Sequence, residues 1–257
     1  MSSTIQRINL SPHIVLLEID NPPANSLSKK IKERFVSLLD NLEADSDIRT
    51  LIITGRGGKF CVGDDLKEAI ANIQDLRKVK QNLQQFGQIM DRIEALPFPT
   101  IAAINGWCIG GGLELALCCD IRVAVPSAQF ICAGVNIGLT ASGYRLPRII
   151  GIARAKQMLY TGLPIDASKA LSYGLITEIY EGTKLMQAAK NMAITIAQKA
   201  PLSLQATKRI VNCAFETNAK QAQSLQEKEL LQLAHTEDYK NALSAFAVKQ
   251  KPIFNGK

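Results

Sequence analysis

Short apolar runs bounded by turn residues recur through the first half of the chain, at residues 14–19, 50–54, 101–104 and 121–125. Their predominantly apolar character, broken only by Glu18 and Arg122 among charged residues, predicts strands buried within a sheet. Between them the spacing becomes helical. Ile31, Phe35, Leu38, Leu39 and Leu42 recur at three- and four-residue intervals behind Ser28, which predicts a helix capped by that serine. The polar stretch from about Asp65 to Leu96 reads as one long helix stopped by Pro97 and Pro99. Strands alternating with helices predict an α/β fold built from parallel βαβ units. After Gly151 helices predominate, punctuated by Gly162, Gly174 and Pro201, and from about Gln198 the pattern is amphipathic and wholly helical. This predicts an α/β core over 1–197 and a C-terminal helical subdomain over 198–257.

One junction carries the candidate chemistry. The apolar run Thr100-Ile101-Ala102-Ala103-Ile104 leads through Asn105-Gly106 to Ile109-Gly110-Gly111-Gly112-Leu113-Glu114. The glycines permit a sharp turn and close backbone approach, and the helix they open aims unpaired N–H groups and its positive end at the same spot. A carboxylate, Glu114, falls in the first turn of that helix. If the strands at 51–54 and 101–104 are parallel neighbours, the loop Phe60-Cys61-Val62-Gly63-Asp64-Asp65-Leu66 emerges beside the glycine turn at the carboxyl edge of the sheet. Two N–H donors converging from separate loops would stabilise a developing oxyanion.

Composition narrows the partners. With 257 residues and 47% hydrophobic content the chain can bury one large core. No apolar run approaches the ~18 residues of a spanning helix, so no membrane partner is expected. The opening residues lack the apolar core of a secretory signal, and a cytoplasmic location follows as an expectation. The net charge of +7 is spread among acids with only 5% aromatic residues, which predicts no nucleic-acid partner. Cys61, Cys108, Cys118, Cys119, Cys132 and Cys213 show no CxxC spacing, and the two histidines, His13 and His235, lie far from any cysteine pair. Reduced core thiols and no metal site are expected.

The segments around Phe60–Leu66 and Ile104–Asp120, as spelled above and continued by Leu115-Ala116 and Cys119-Asp120, resemble the crotonase (enoyl-CoA hydratase/isomerase) superfamily. The resemblance runs on through Arg145-Leu146-Pro147-Arg148, Leu159-Tyr160-Thr161-Gly162 and Tyr173-Gly174-Leu175-Ile176 to Lys251-Pro252-Ile253-Phe254. It implies a core of ββα units wound as a spiral, a C-terminal trimerisation subdomain, and a homotrimer or dimer of trimers. It implies an acyl-CoA thioester substrate, with coenzyme A entering as part of that substrate and no permanently bound cofactor. The implied oxyanion donors are the main-chain N–H groups of Asp64 and Gly111, with Glu114 as acid/base. Ala24, Val62, Asp65, Leu66, Gly110, Lys251 and Phe254 fall at implied substrate- and CoA-binding positions. Asp120 matches a family aspartate in the same helix and is expected to be structural.

Two departures qualify the implied hydration. The place of the second hydratase glutamate falls on Gly134, and the loop from Thr140 to Tyr144 is shorter than the usual glycine-rich version. Tyr144, Ser142, Asn136 and Cys132 could face the pocket but read better as packing, and the Asp64 side chain reads as a cap for the following helix. Three readings stand: an enoyl-CoA hydratase/isomerase-like lyase, a malonyl-type acyl-CoA decarboxylase or hydrolase, and a non-catalytic CoA-thioester-binding subunit.

Overall fold

The computed structural model describes residues 3–257. In chain order the elements begin with β1 (Thr4–Ser11), β2 (Ile14–Asp20), α1 (Lys29–Glu43), β3 (Thr50–Gly55) and β4 (Lys59–Cys61). Next come α2 (Leu66–Asn72), α3 (Leu76–Ala95), β5 (Thr100–Ile104), β6 (Trp107–Ile109) and α4 (Gly111–Cys118). The middle holds β7 (Ile121–Ala124), β8 (Gln129–Ile131), a 3-10 turn over Ala133–Ile137, α5 (Arg145–Ile150) and α6 (Ile152–Thr161). Last are β9 (Ile165–Asp166), α7 (Ala167–Tyr173), β10 (Glu178–Ile179), α8 (Gly182–Ala197), α9 (Pro201–Asn212), α10 (Ala219–Ala234) and α11 (Glu237–Ala247).

The strands form two sheets. The larger runs β1-β2-β3-β5-β7-β10, antiparallel only between β1 and β2. The smaller runs β4-β6-β8-β9, with β4, β6 and β8 parallel. Three neighbouring strands of the first sheet are each followed directly by a short strand of the second: β3 by β4, β5 by β6, β7 by β8. Repetition of that unit, each closed by a helix or helical turn, generates the ββα spiral. Every residue of β3 and β5 is buried, as their unbroken apolar runs require, and α8 packs across both strands.

Two expectations about elements need correction. The stretch from 65 to 96 is not one helix, because it breaks into α2 and α3 at residues 73–75. Asp75 restarts it, its carboxylate accepting from the N–H groups of Arg77 and Lys78. The loops carrying Asp64 and Gly111 leave the ends of β4 and β6 in the small sheet, not β3 and β5 in the large one. Parallel pairing still sets them side by side, so the inferred convergence holds for a different pair of strands.

Candidate active site

The turn after β4 and the start of α4 meet backbone to backbone. Gly63 has φ +85°, and a Cβ built on it would stand 2.6 Å from the Gly111 nitrogen. Gly112 is as tightly constrained, since a Cβ there would lie 2.0 Å from the carbonyl oxygen of Cys61. Only glycine lets these two segments touch. The Asp64 N–H, next in the chain to Gly63, and the Gly111 N–H thus lie on the two touching segments, and neither donates to a backbone acceptor among the described residues. Leu27 fixes the Asp64 turn from the other side, donating to the Gly63 carbonyl at 2.7 Å and forming a parallel bridge with Asp64.

Glu114 lies one turn into α4, a helix buried from Gly112 to Cys118, and is itself 7% exposed. An ionised carboxylate at that depth needs partners. Arg145 donates to Oε1 at 2.7 Å, and the Ser142 hydroxyl donates to Oε2 at 2.6 Å. The Arg145 guanidinium also reaches Glu94 and Asp91 on α3, at 2.9 and 2.8 Å. Burial alone would lower the Arg145 pKa; Cys118 and the carboxylates of Glu114, Glu94 and Asp91 outweigh burial and raise it. The guanidinium therefore stays charged. Cys132, beside the same carboxylate, has its thiol pushed up to about 12 by burial first and by Glu114 second, so it remains protonated near neutral pH.

The Asp64 carboxylate is occupied differently from the expectation. Capping of α2 falls to Asp65, which accepts from the N–H groups of Lys67 and Glu68 and receives the Ser26 hydroxyl at 3.0 Å. Asp64 instead accepts from Lys32 at 2.5 Å. The Lys32 side chain is only 2% exposed, and its ammonium also donates to Asn82 at 2.5 Å. Sequence reasoning passed over this lysine. The signal was present: Lys32, Phe35, Leu39 and Leu42 share the three- and four-residue spacing of the apolar face, where a charged side chain implies a buried partner.

Comparison with known proteins identifies the family. Residues 10–257 match the family model described as enoyl-CoA hydratase/isomerase. The chain belongs to the enoyl-CoA hydratase/isomerase family. A probable enoyl-CoA hydratase of Bacillus subtilis is 35% identical over 249 residues, covering 95% of each chain. The short-chain-enoyl-CoA hydratase of Clostridium acetobutylicum is 32% identical, covering 93% of this chain and 92% of that one. The crystal structure of enoyl-CoA hydratase from Bacillus anthracis superposes with a TM-score of 0.94 at 32% identity, over 98% of this chain and 99% of that one.

Against that family background the loop after the 3-10 turn is informative. At Gly134, where the resemblance puts a second glutamate, the chain folds back on itself. Leu139 N–H donates to the Gly134 carbonyl at 2.9 Å, and a Cβ on Gly134 would stand 2.9 Å from the Leu139 oxygen. The backbone of this loop occupies the space a Cβ would need. Asn136 does not join the Glu114 cluster, since its amide donates to the Gly162 carbonyl at 3.0 Å. Tyr144 is 54% exposed and donates to Glu216 at 2.5 Å.

The remaining expected site residues fall in two places. Ala24, Val62 and Gly110 lie on the turns around β4, β6 and the Leu27 bridge, and Leu66 opens α2 behind its cap Asp65. Phe254 lies elsewhere: its carbonyl accepts from Arg49 at 2.8 Å and its side chain lines a groove between α9, α10 and α11. Lys251 is exposed on the same tail. Asp120 is structural as expected but lies beyond α4, not within it, because that helix ends at Cys118. Its carboxylate accepts from the N–H and hydroxyl of Thr100 and from Lys208, at 2.7, 2.9 and 2.8 Å. All six cysteines are free thiols, and all but Cys213 are buried.

Proposed function

We propose that the chain is an acyl-CoA-processing enzyme that polarises a thioester carbonyl between the main-chain N–H groups of Asp64 and Gly111 and moves a proton with Glu114. The observation that carries this reading is the backbone contact of Gly63 with Gly111, which puts the Asp64 and Gly111 N–H groups, neither paired with a backbone acceptor, on touching segments, with Glu114 buried one turn further along α4. Charge developing on the thioester oxygen gains two hydrogen bonds and the positive end of α4. The Cα–H bond next to that carbonyl is thereby acidified, and Glu114 accepts or returns the proton. Ala24, Val62, Asp65, Leu66 and Gly110 are proposed to border the CoA path, while Lys251 and Phe254, which lie away from it in the same chain, are proposed to reach the CoA site of a neighbouring subunit. The substrate class favoured is an enoyl-CoA thioester, the class named for the bacterial relatives above.

A panel of enoyl-CoA thioesters tests this. Loss of the conjugated thioester absorbance, or its appearance from a 3-enoyl isomer, is the expected result. Inertness towards every enoyl thioester would overturn the reading. A second reading is favoured by the closed space at Gly134, where the resemblance implies a second glutamate and no side chain fits. Decarboxylation of a malonyl-type thioester breaks a C–C bond to give carbon dioxide and the enolate directly, and needs no base for that step. Carbon dioxide release with no turnover of enoyl thioesters would select it.

The segment 198–257 is proposed as the trimerisation subdomain. Support comes from the apolar groove of about 960 Å³ lined by Leu230, Leu231, Tyr239 and Phe254, and from the exposure of Phe215 and Phe246 at 73% and 83%. Light scattering at micromolar concentration should give three or six times the 28.0 kDa chain mass; a monomer would contradict the assignment.

A further inference from the structure

We propose that Ser142 is a positioning residue for Glu114, held in a left-handed backbone conformation so that its hydroxyl fixes one carboxylate oxygen while Arg145 fixes the other. The inference rests on the proposed role of Glu114. Ser142 has φ +59°, a conformation that side chains other than glycine, asparagine and aspartate rarely adopt. A glycine stands next to it, at Gly143, yet the strained position itself carries serine. Strain of this kind persists where surrounding structure imposes it, and it concentrates at functional sites.

The surroundings here are specific. The loop is drawn down by the bond from Leu139 to Gly134, which leaves Thr140 and Ala141 exposed but buries Ser142 to 7%. The Ser142 carbonyl then accepts from Leu146 N–H at 3.2 Å, tying the loop to the first turn of α5. Arg145 belongs to that turn. One residue therefore contacts Glu114 directly and anchors the helix that delivers its second partner. Glu94 and Asp91 brace the guanidinium from α3.

Serine suits a carboxylate that changes protonation. Its hydroxyl donates to the carboxylate and, after rotation, accepts from the carboxylic acid, whereas a guanidinium only donates. Ser142 can thus hold Glu114 in place before and after it takes a proton. The short loop that closes over Gly134 is the same loop that supplies this hydroxyl.

Ser142→Gly and Ser142→Ala, compared with Glu114→Gln, test the assignment. Glycine removes the hydroxyl and relieves the backbone, while alanine removes the hydroxyl and keeps the strain. Both should lower kcat about tenfold on whichever thioester the wild type turns over, with KM near its wild-type value, reflecting loss of one hydrogen bond to a charged group. Ser142→Gly, relieved of the left-handed backbone, should melt above Ser142→Ala. A crystal structure of Ser142→Gly should show the Glu114 carboxylate rotated or in two rotamers. Full kcat in Ser142→Gly with an unmoved Glu114, while Glu114→Gln is inactive, would overturn the positioning role alone. Wild-type rates in Glu114→Gln would overturn that role together with the reading it rests on.

Discussion

Glu114→Gln is expected to lower kcat by about 100- to 10,000-fold while leaving the melting temperature close to wild type. The substitution removes proton transfer and little else. A glutamine carboxamide can keep its oxygen on Arg145 and turn its NH2 towards the Ser142 oxygen, replacing both bonds now made at 2.7 and 2.6 Å. Arg145 retains Glu94 and Asp91, so it is not left as an uncompensated charge. The contrasting reading of Glu114, a first-turn acid that merely favours the helix dipole, predicts an effect on stability alone, worth about 0.3–1 kcal/mol. Steady-state kinetics and a thermal melt on one preparation separate the two. Equal rates for the variant and wild type would remove Glu114 from the chemistry.

The second large effect concerns stability. Asp64→Ala should destabilise the fold by about 3 kcal/mol, the lower end of the cost of breaking a buried ion pair, because Asp64 is one-third exposed while Lys32 is almost wholly buried. Its removal leaves the Lys32 ammonium with the neutral Asn82 alone. For a chain of this length that corresponds to a fall of about 10 °C in melting temperature. Adding Lys32→Met to Asp64→Ala should recover most of the loss, since an apolar side chain of similar length fits the environment without a charge to satisfy. A double variant no more stable than Asp64→Ala would mean that the pair is not the source of the effect.

Much of this architecture is legible in the pattern of residues, for physical reasons. The cores of β3 and β5 are continuous apolar runs because both faces of those strands are covered, and Ser28 signals the start of α1 because its side chain accepts from Ile31 N–H. The glycine-opened helix is legible because close backbone approach leaves no alternative to glycine at Gly112. The short strands β4, β6 and β8 are not, because three residues carry too little periodicity and their conformation comes from distant partners.

The site shows the same division. Main-chain donors travel with a local motif, so the proposed donors, Asp64 and Gly111, can be located by reading along the chain. The environment of Glu114 is assembled from Asp91, Glu94, Ser142 and Arg145, which come from two helices and a loop well separated in sequence. Local patterning favours packing for Ser142, and only tertiary structure brings its hydroxyl to the carboxylate. Asp64 and Asp65 illustrate the point at closer range: either could cap α2, and the choice is settled by Lys32, 32 residues away in sequence and buried against one of them.

Hydrogen exchange at the thioester α-carbon tests the central claim most directly, because it reports enolate formation whichever product is finally made. A saturated acyl-CoA incubated with the enzyme in heavy water should acquire deuterium at the α-carbon, followed by NMR, and Glu114→Gln should lose that activity by at least about 100-fold. Exchange at equal rates in both proteins, or none with the wild type, would contradict an enolate formed between Asp64 and Gly111 with Glu114 as its base.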